Sequence, residues 1–178
     1  MSQKTALVII DVQVGLIDPD NSHHTQTLEN INALLSRARA TGVPVIYVQH
    51  DSAKGQGLEV GTDAWQIHPA ITPHQGEPVV NKRASDAFYD TTLKEILDSY
   101  GITDLIVAGA QTEYCVDTSV RRATTFGYSV VLASDAHLTE DTKLLNEEQI
   151  IAFYNYTLNG FSSDEAVIRT RPTESILV

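Results

Sequence analysis

The sequence predicts a three-layer α/β/α domain built on a mostly parallel sheet, and two observations carry this prediction. Short apolar runs alternate about five times with amphipathic segments of helical period. Strands that alternate with helices form parallel sheets whose two faces are both covered. No repeat, low-complexity tract or linker interrupts the pattern, so we expect a single domain over residues 1–178 with right-handed crossovers.

Six apolar runs predict the strands of this sheet. The first, TALVII, is short and continuous and ends at Asp11, which favours a buried strand over a helix. We expect a Rossmann-like strand order of 3-2-1-4-5-6. The runs, in chain order, are Thr5–Ile10, Val43–Gln49, Val79–Val80 with its flanks, Leu105–Ala108, Ser129–Ala133 and Ala166–Ile168.

Four segments predict helices, and each is followed by a glycine that can end it. In the first segment Leu28, Ile31 and Leu34 recur at helical spacing. The stretch His50–Pro78 shows no such period, and a loop of this length is usually functional or carries short elements. The segments are Thr25–Thr41, Thr91–Tyr100, Thr112–Phe126 and Asn146–Leu158.

Length and composition exclude several classes of protein. A chain of 178 residues buries roughly 70% of its unfolded surface, so it needs no disulfide or metal staple. With 42% hydrophobic and 20% charged residues it is neither disordered, collagen-like nor a coiled coil. No apolar run approaches the ~20 residues of a membrane span. Residues Met1–Ile10 lack the pattern of a signal peptide, and we expect a cytoplasmic protein.

Charge and cysteine content limit the partners further. The 23 acidic and 12 basic residues give a net charge of -11, which predicts repulsion from nucleic acid and from anionic membranes. An acidic substrate would need a local basic pocket. The single cysteine, Cys115, excludes an intramolecular disulfide and any multi-cysteine metal site, and it fits a reducing compartment.

Polar residues follow the predicted strands at the sheet edge where ligands bind in open parallel sheets. Asp11 follows the first strand, and Gly109–Val116 follows the fourth; these two strands are neighbours in the expected order. Lys82 ends the third strand, two strands or roughly 10 Å from the first at about 4.8 Å per strand. Its long side chain can close that distance, so the three positions can share one crevice.

Together these residues can activate a thiol for nucleophilic attack. A helix N-terminus and an ammonium group lower the pKa of a cysteine from about 8.5, whereas a carboxylate raises it but can accept its proton. Backbone amides of the turn over residues 109–115 can form an oxyanion hole. Each residue also has a plain structural interpretation: Cys115 as a small core side chain, Asp11 as a turn cap and Lys82 as a surface lysine.

The residues around these positions carry a family resemblance. VIIDVQ at Val8–Gln13, the strand-ending Lys82 and GAQTEYCV at Gly109–Val116 resemble the isochorismatase-like cysteine hydrolase superfamily, which includes nicotinamidases and N-carbamoylsarcosine amidohydrolases. The resemblance spans Thr5 to about Val167. Further pieces are WQIHP at Trp65–Pro69, GEPVVNK at Gly76–Lys82, SDAF at Ser85–Phe88 and GYSVVLASDA at Gly127–Ala136.

The resemblance implies a catalytic triad of Asp11, Lys82 and Cys115. In the family the aspartate takes the thiol proton and later returns it to the leaving amine, while the cysteine forms an acyl-enzyme. A cis peptide bond, here between Ala110 and Gln111, precedes the nucleophile turn, and the amides of Gln111 and Cys115 face the oxyanion. The family also implies a homo-oligomer, either a dimer or a tetramer.

Departures from the family narrow the predicted reaction. Nicotinamidases carry an Asp-x-His-His metal site after the second strand, but here His50 and Asp51 are followed by no histidine pair. We therefore expect neither a metal nor another cofactor, with His50 and Asp51 as the remaining candidates for metal ligands. Cys115 favours cleavage of a C–N bond in a small amide, lactam or carbamoyl compound.

Two other functions stay open at this stage. Vinyl ether hydrolysis of the isochorismatase type would use Asp11 as the acid and needs no thiol nucleophile. A non-catalytic α/β module could use Cys115 as a redox sensor.

Four side chains are candidates for contacting the small-molecule substrate. They are Gln13, Trp65, Gln111 and Tyr114. Trp65 can stack on a planar substrate or fasten the long loop, and Gln13 can equally bond to loop backbone.

Other motifs predict no site. We expect His23–His24 in a solvated loop, the run Asp135–Glu148 on a solvated face, and structural or exposed roles for the remaining histidines, His68, His74 and His137. GQGLEVG at Gly55–Gly61 misses the spacing of a dinucleotide fingerprint by one position.

Overall fold

The computed structural model describes residues 4–176, which form a central sheet with helices on both faces. Seven strands make up the sheet: β1 (Thr5–Ile10), β2 (Val45–His50), β3 (Val79–Lys82), β4 (Asp104–Ala110), β5 (Ser129–Leu138), β6 (Ser162–Ser163) and β7 (Ala166–Arg171). The helices are α1 (Ser22–Thr41), α2 (Leu93–Ser99), α3 (Asp117–Thr125) and α4 (Glu147–Leu158). A π-helical turn covers Thr112–Val116, and short 3₁₀ turns cover Val14–Leu16, Pro69–Ile71 and Thr173–Ser175.

The strand order is β3-β2-β1-β4-β5-β7-β6, and all pairs are parallel except the antiparallel β6–β7 pair. The three-layer fold is as predicted. The order of the six predicted strands is also as predicted, with β7 as the sixth of them. The difference is the two-residue strand β6, which pairs Ser162 with Val167 at the edge of the sheet. Two residues are too few to show the alternation by which a strand is recognised in sequence.

The two faces of the sheet hold separate cores, because side chains of a strand point alternately to opposite sides. Ala6, Val8 and Ile10 of β1 pack with residues of α2, α3 and α4. Leu7 and Ile9 pack with the apolar face of α1 on the other side. Helices on both faces leave the strand ends as the open surface of the sheet. Between residues 4 and 176, no helix has the length and apolar character needed to cross a membrane.

Helix α1 begins three residues earlier than predicted. The side chain of Asn21 caps it by accepting hydrogen bonds from the amides of His23 and His24. The expectation of a solvated loop is therefore wrong for His24, which is buried. Its Nε2 lies 2.9 Å from Thr139 O.

Other boundaries differ by up to three residues, and two differences are larger. The single helix expected over Thr112–Phe126 is divided into the π-helical turn and α3. Strand β5 continues to Leu138, five residues past its predicted end at Ala133, after a register shift against β4. The run Asp135–Glu148 is thus only partly a solvated face, because its first residues lie inside the sheet.

Strands β1 and β4 approach each other closely at the carboxyl edge. Gly109 has φ of 138°, and a Cβ at this position would overlap the backbone of Ile10. Asp11, which follows Ile10 at the end of β1, has φ of 49°. Backbone of this kind in a non-glycine residue is uncommon and concentrates at functional sites.

Candidate active site

The carboxyl ends of four neighbouring strands bring four reactive side chains together. Asp11 follows β1, His50 ends β2, Lys82 ends β3, and Cys115 lies in the π-helical turn after β4. A carboxylate oxygen of Asp11, a ring nitrogen of His50 and the Sγ of Cys115 all lie within 4.8 Å of one another.

The ammonium group of Lys82 lies at the centre of this cluster. Its Nζ donates to Cys115 Sγ at 3.1 Å and to Ala84 O at 2.9 Å, and it lies 3.1 Å from His50 Nδ1. An ammonium carries three N–H donors and no acceptor, so these three neighbours and Asp11 Oδ2, at 2.7 Å, share its donors. The side chain of Lys82 is completely buried, so these groups stand where water would otherwise solvate it.

Asp11 supplies the counter-charge. Its Oδ2 lies 2.7 Å from Lys82 Nζ, which is shorter than the contacts of the ammonium group with Ala84, His50 and Cys115. Burial raises the pKa of the Asp11 carboxyl, and the attraction of Lys82 opposes that rise. Both oxygens remain able to accept a proton.

The thiol of Cys115 is held in its neutral form. Burial and the neighbouring Asp11 charge raise its pKa to about 12, and Lys82 offsets only part of this rise. The sequence predicts that the ammonium group and the helix N-terminus lower the thiol pKa. Burial and the charge of Asp11 outweigh that effect. The proton stays on sulfur beside the carboxylate of Asp11, and a thiol next to a buried carboxylate can pass its proton to that group.

His50 is a fourth member of the cluster. Because an ammonium can only donate, the Nδ1 that faces Lys82 is the unprotonated ring nitrogen and Nε2 carries the hydrogen. Burial and then the charge of Lys82 lower the pKa of His50, which keeps the ring neutral. Its backbone is bound by Gln13, whose Oε1 accepts from His50 N at 2.8 Å and whose Nε2 donates to His50 O at 3.0 Å.

The donor types of Asp11, His50 and Cys115 would suit a transition-metal ion. The Lys82 ammonium contacts all three groups, so a cation at this point would have to displace Lys82 and its charge. One oxygen of Asp51 is already bonded to side chains of the loop and of β3. This oxygen, Oδ1, accepts hydrogen bonds from Trp65 Nε1 at 2.8 Å and from Asn81 Nδ2 at 2.9 Å.

A buried hydrogen-bond chain supports the nucleophile turn. His137, in β5, has Nδ1 2.9 Å from Thr112 Oγ1 and Nε2 3.1 Å from Asn155 Oδ1. It thereby connects the first residue of the turn to α4. Burial lowers the pKa of His137 to about 4, so the ring is neutral near pH 7.

The backbone before the nucleophile turn has the cis peptide bond Ala110–Gln111. The carbonyl of Gln111 accepts from the amides of Tyr114 and Val116, at 3.1 and 3.2 Å. Its own amide N–H makes no hydrogen bond with residues 4–176. An unbonded amide beside Cys115 is a donor that an oxyanion could use.

The proposed substrate contacts fall into two groups. The side chain of Gln13 is buried and bonded to backbone, and that of Trp65 is bonded to Asp51, so both fasten the long loop to the sheet. Tyr114 is 54% exposed beside the nucleophile, and Gln111 is half-buried. Contact of any of the four with substrate stays a prediction.

Two cavities adjoin the cluster. One of about 320 Å³ is lined by His50, Asp51 and Arg83 among others, and one of about 270 Å³ by Lys82 and again Arg83. A larger hollow of about 850 Å³ is lined by Asp104 and other residues at the opposite ends of the strands, away from this chemistry. The two smaller cavities are therefore the candidate substrate space.

Sequence reasoning missed two parts of this site. His50 was considered only as a metal ligand, although its place at the end of a strand beside the switch point follows the rule that identified Asp11. Arg83 was not considered, because an arginine in a predicted loop gives no signal of its own. Lys82, which the sequence does predict, reaches Asp11 across a distance of two strands, as expected.

Comparisons with known proteins give one consistent family. The family described as Isochorismatase domain matches residues 5–156. Streptothricin hydrolase from Streptomyces noursei is 37% identical over 138 residues, which cover 76% of this chain and 50% of that protein. The chain thus spans about half the length of this relative.

Two other relatives match over most of both chains. A ureidoacrylate amidohydrolase from Rhizobium rhizogenes is 28% identical, covering 97% of this chain and 87% of its own. The crystal structure of an isochorismatase from Pseudomonas putida KT2440 has a TM-score of 0.86 at 33% identity, covering 97% of this chain and 90% of that one. The fold and the family resemblance stated from sequence are confirmed by these similarities.

Proposed function

The chain belongs to the isochorismatase family, and from this premise we propose that it is a metal-independent cysteine hydrolase. It cleaves a C–N bond of a small amide, lactam or carbamoyl compound through an acyl-enzyme on Cys115. Relatives named for hydrolysis, streptothricin hydrolase and ureidoacrylate amidohydrolase, support hydrolysis of such bonds.

One observation carries the proposal. The carboxylate of Asp11 lies buried beside a protonated thiol, and the ammonium group of Lys82 contacts both, at 2.7 Å from Asp11 Oδ2 and 3.1 Å from Cys115 Sγ. Because burial disfavours the charge of this carboxylate, its affinity for a proton is raised. A structural cysteine needs no such neighbour.

Acylation is the first half of the reaction. Asp11 takes the S–H proton as sulfur forms a bond to the carbonyl carbon, and the carbonyl oxygen becomes an oxyanion that can bind the Gln111 and Cys115 amides. When the intermediate collapses, the C–N bond breaks. Asp11 gives its proton to the leaving nitrogen, which departs as an amine or ammonia.

Deacylation repeats the proton transfers with water. Asp11, again ionised, takes a proton from water as the oxygen bonds to the thioester carbon. The C–S bond then breaks, and Asp11 returns the proton to sulfur. An amide or lactam gives a carboxylic acid and the free thiol, whereas a carbamoyl compound that keeps a nitrogen on the acyl group gives a carbamic acid, which loses CO2. The raised pKa of Asp11 suits a group that exchanges a proton in each step.

The test is hydrolysis of a panel of small amides, lactams and carbamoyl compounds by wild-type protein and by Cys115→Ala. Activity on a panel compound should fall by at least roughly 10³-fold in the variant, because the covalent route is lost. Intact mass of wild-type protein quenched during turnover should show the acyl group. A variant that keeps most of the wild-type rate would exclude the thiol mechanism.

Vinyl ether hydrolysis remains the second candidate, and the raised pKa of Asp11 favours it, since a protonated carboxyl can donate to an enol ether. This reaction does not need sulfur, so the same Cys115→Ala variant separates the two candidates. A redox-sensing role is less well supported. Oxidation needs thiolate, and a thiol whose pKa lies near 12 holds very little of it at neutral pH.

A further inference from the structure

We propose that Arg83 is the binding residue for an anionic group of the substrate, and that the compound hydrolysed at Cys115 carries a carboxylate. The inference rests on the proposed function and adds the substrate class to it. It starts from an arginine that follows the central lysine directly and lines both cavities beside the cluster.

The cavity of about 320 Å³ that Arg83 lines is separated from Cys115 by the side chain of His50. His50 lines the same cavity of about 320 Å³, and a ring nitrogen of His50 lies within 4.8 Å of Cys115 Sγ. The cavity wall is therefore one side chain away from the thiol. Its volume is at the small end of ligand sites, which fits a small molecule with one reacting end and one anchored end.

The guanidinium of Arg83 is free to take a ligand. The ion pairs and hydrogen bonds found between residues 4 and 176 do not include its side chain, and the residue is exposed. Arg39, Arg121 and Arg122, by contrast, pair with carboxylates. The nearby Asp51 is already bonded to Trp65 and Asn81.

The charge of the whole chain makes such a residue necessary for an anionic substrate. At a net charge of -11 the surface repels anions, so a carboxylate must find a local cation to remain bound. Apart from Lys82, which is paired with Asp11, Arg83 is the only lysine or arginine that lines either cavity; Asp51 lines both cavities and Asp90 lines the smaller one. An arginine binds a carboxylate through two parallel N–H donors, which also fixes its direction.

The test compares two alkylating reagents that differ only in charge. Iodoacetate carries a carboxylate and iodoacetamide does not, so the ratio of their rates at Cys115 measures attraction of the anion without requiring turnover. Rates are followed by intact mass at one mildly alkaline pH. Wild type should give a higher ratio than N-acetylcysteine, and iodoacetate should show saturation.

Arg83→Gln should lower the iodoacetate rate by about tenfold, equivalent to about 1.4 kcal/mol, and leave the iodoacetamide rate within about twofold. Arg83→Lys should give an intermediate value, since it keeps charge but loses the fork. Lys54→Gln is the matched control, because it removes a positive charge from an exposed residue of the loop that follows β2.

The proposal would be overturned if Arg83→Gln lowered the alkylation rates of both reagents equally or lowered neither. It would also be overturned if Lys54→Gln lowered the iodoacetate rate as much as Arg83→Gln does. If the thiol reacts too slowly to follow, binding can be measured directly. Propionate and propionamide are titrated into the protein, and the arginine Nε–H resonances are followed by NMR. Propionate alone should shift one resonance, and that resonance should be missing in Arg83→Gln. Failure here leaves the Cys115→Ala test of hydrolysis unaffected, so the two proposals can fail separately.

Discussion

At the scale of single residues, the site is governed by where one proton resides. Burial and Asp11 hold that proton on the sulfur of Cys115, and the carboxylate of Asp11 can receive it. The thiol is consequently a weak nucleophile in the free protein. In the mechanism that we propose, a bound carbonyl compound makes transfer of the proton to Asp11 favourable, so other electrophiles react slowly with the thiol.

The buried ion pair gives the first prediction. Lys82→Met leaves the Asp11 charge buried without its counter-charge, and we expect it to lower the free energy of unfolding by about 3–5 kcal/mol. The double variant Asp11→Asn with Lys82→Met should regain most of that loss, although it will be inactive. Urea denaturation of the wild type, both single variants and the double variant measures the coupling. Additive losses would mean that the pair contributes no such interaction.

Residue identities at the site could be predicted from sequence, but their energetics could not. Asp11, Lys82 and Cys115 follow from strand-end positions and family motifs. The upward shift of the thiol pKa could not be predicted in this way. It depends on how deeply Cys115 is buried and on which other groups accept hydrogen bonds from Lys82. His50 is one of those groups, and this contact requires β2 and β3 to be paired with His50 beside Lys82.

At the scale of elements, the close approach of β1 and β4 positions Asp11 next to the nucleophile turn. Gly109→Ala should therefore be strongly destabilising, by about 3 kcal/mol or more, because the added Cβ meets the backbone of Ile10 and φ of 138° is unfavourable for alanine. Gly57→Ala is the control, since open space surrounds that position. Thermal or urea unfolding of the two variants compares them, and equal stabilities would contradict the close packing.

The link from β5 through His137 to the turn and α4 predicts a dependence of stability on pH. The pKa of His137 is about 4 in the folded chain and about 6.5 when unfolded, so between these values the unfolded state binds more protons. Stability should fall by about 3 kcal/mol as the pH drops from 7 to 4, and then level off for this group.

His137→Asn should remove this part of the pH dependence, whereas the exposed His74→Asn should retain it. Urea midpoints at several pH values between neutral and acidic measure the slope for each variant. A slope in His137→Asn that matches wild type would assign the acid sensitivity to other groups.

Most elements could be predicted from sequence, and their ends could not. The apolar period of α1 is plain, but its start depends on the Asn21 cap. The division of Thr112–Phe126 into a π-helical turn and α3 carries no sequence period at all. Strand β5 continues past its predicted end because Ala136 and Leu138 are still buried in the core, while the polar His137 between them is held by Thr112 and Asn155.

At the scale of the whole molecule, the strand order determines which residues can meet. The order β3-β2-β1-β4 places Lys82, His50, Asp11 and the Cys115 turn at consecutive positions along one edge. That order was predictable from the alternation of strands and helices. The dimer or tetramer and the cytoplasmic location stay predictions; light scattering would decide the first.

The pH dependence of Cys115 alkylation by iodoacetamide, in wild type and in Asp11→Asn, tests the central claim most directly. With Asp11 neutral, the thiolate becomes the counter-charge of Lys82, so the thiol pKa should fall from about 12. Alkylation at a fixed pH should then speed up, by about tenfold for each pKa unit at most, while hydrolysis falls by roughly 10²–10⁴-fold. Cys115→Ala gives the blank. Alkylation that is unchanged or slower in Asp11→Asn would contradict the account, because Asp11 would then not hold the proton balance of the thiol.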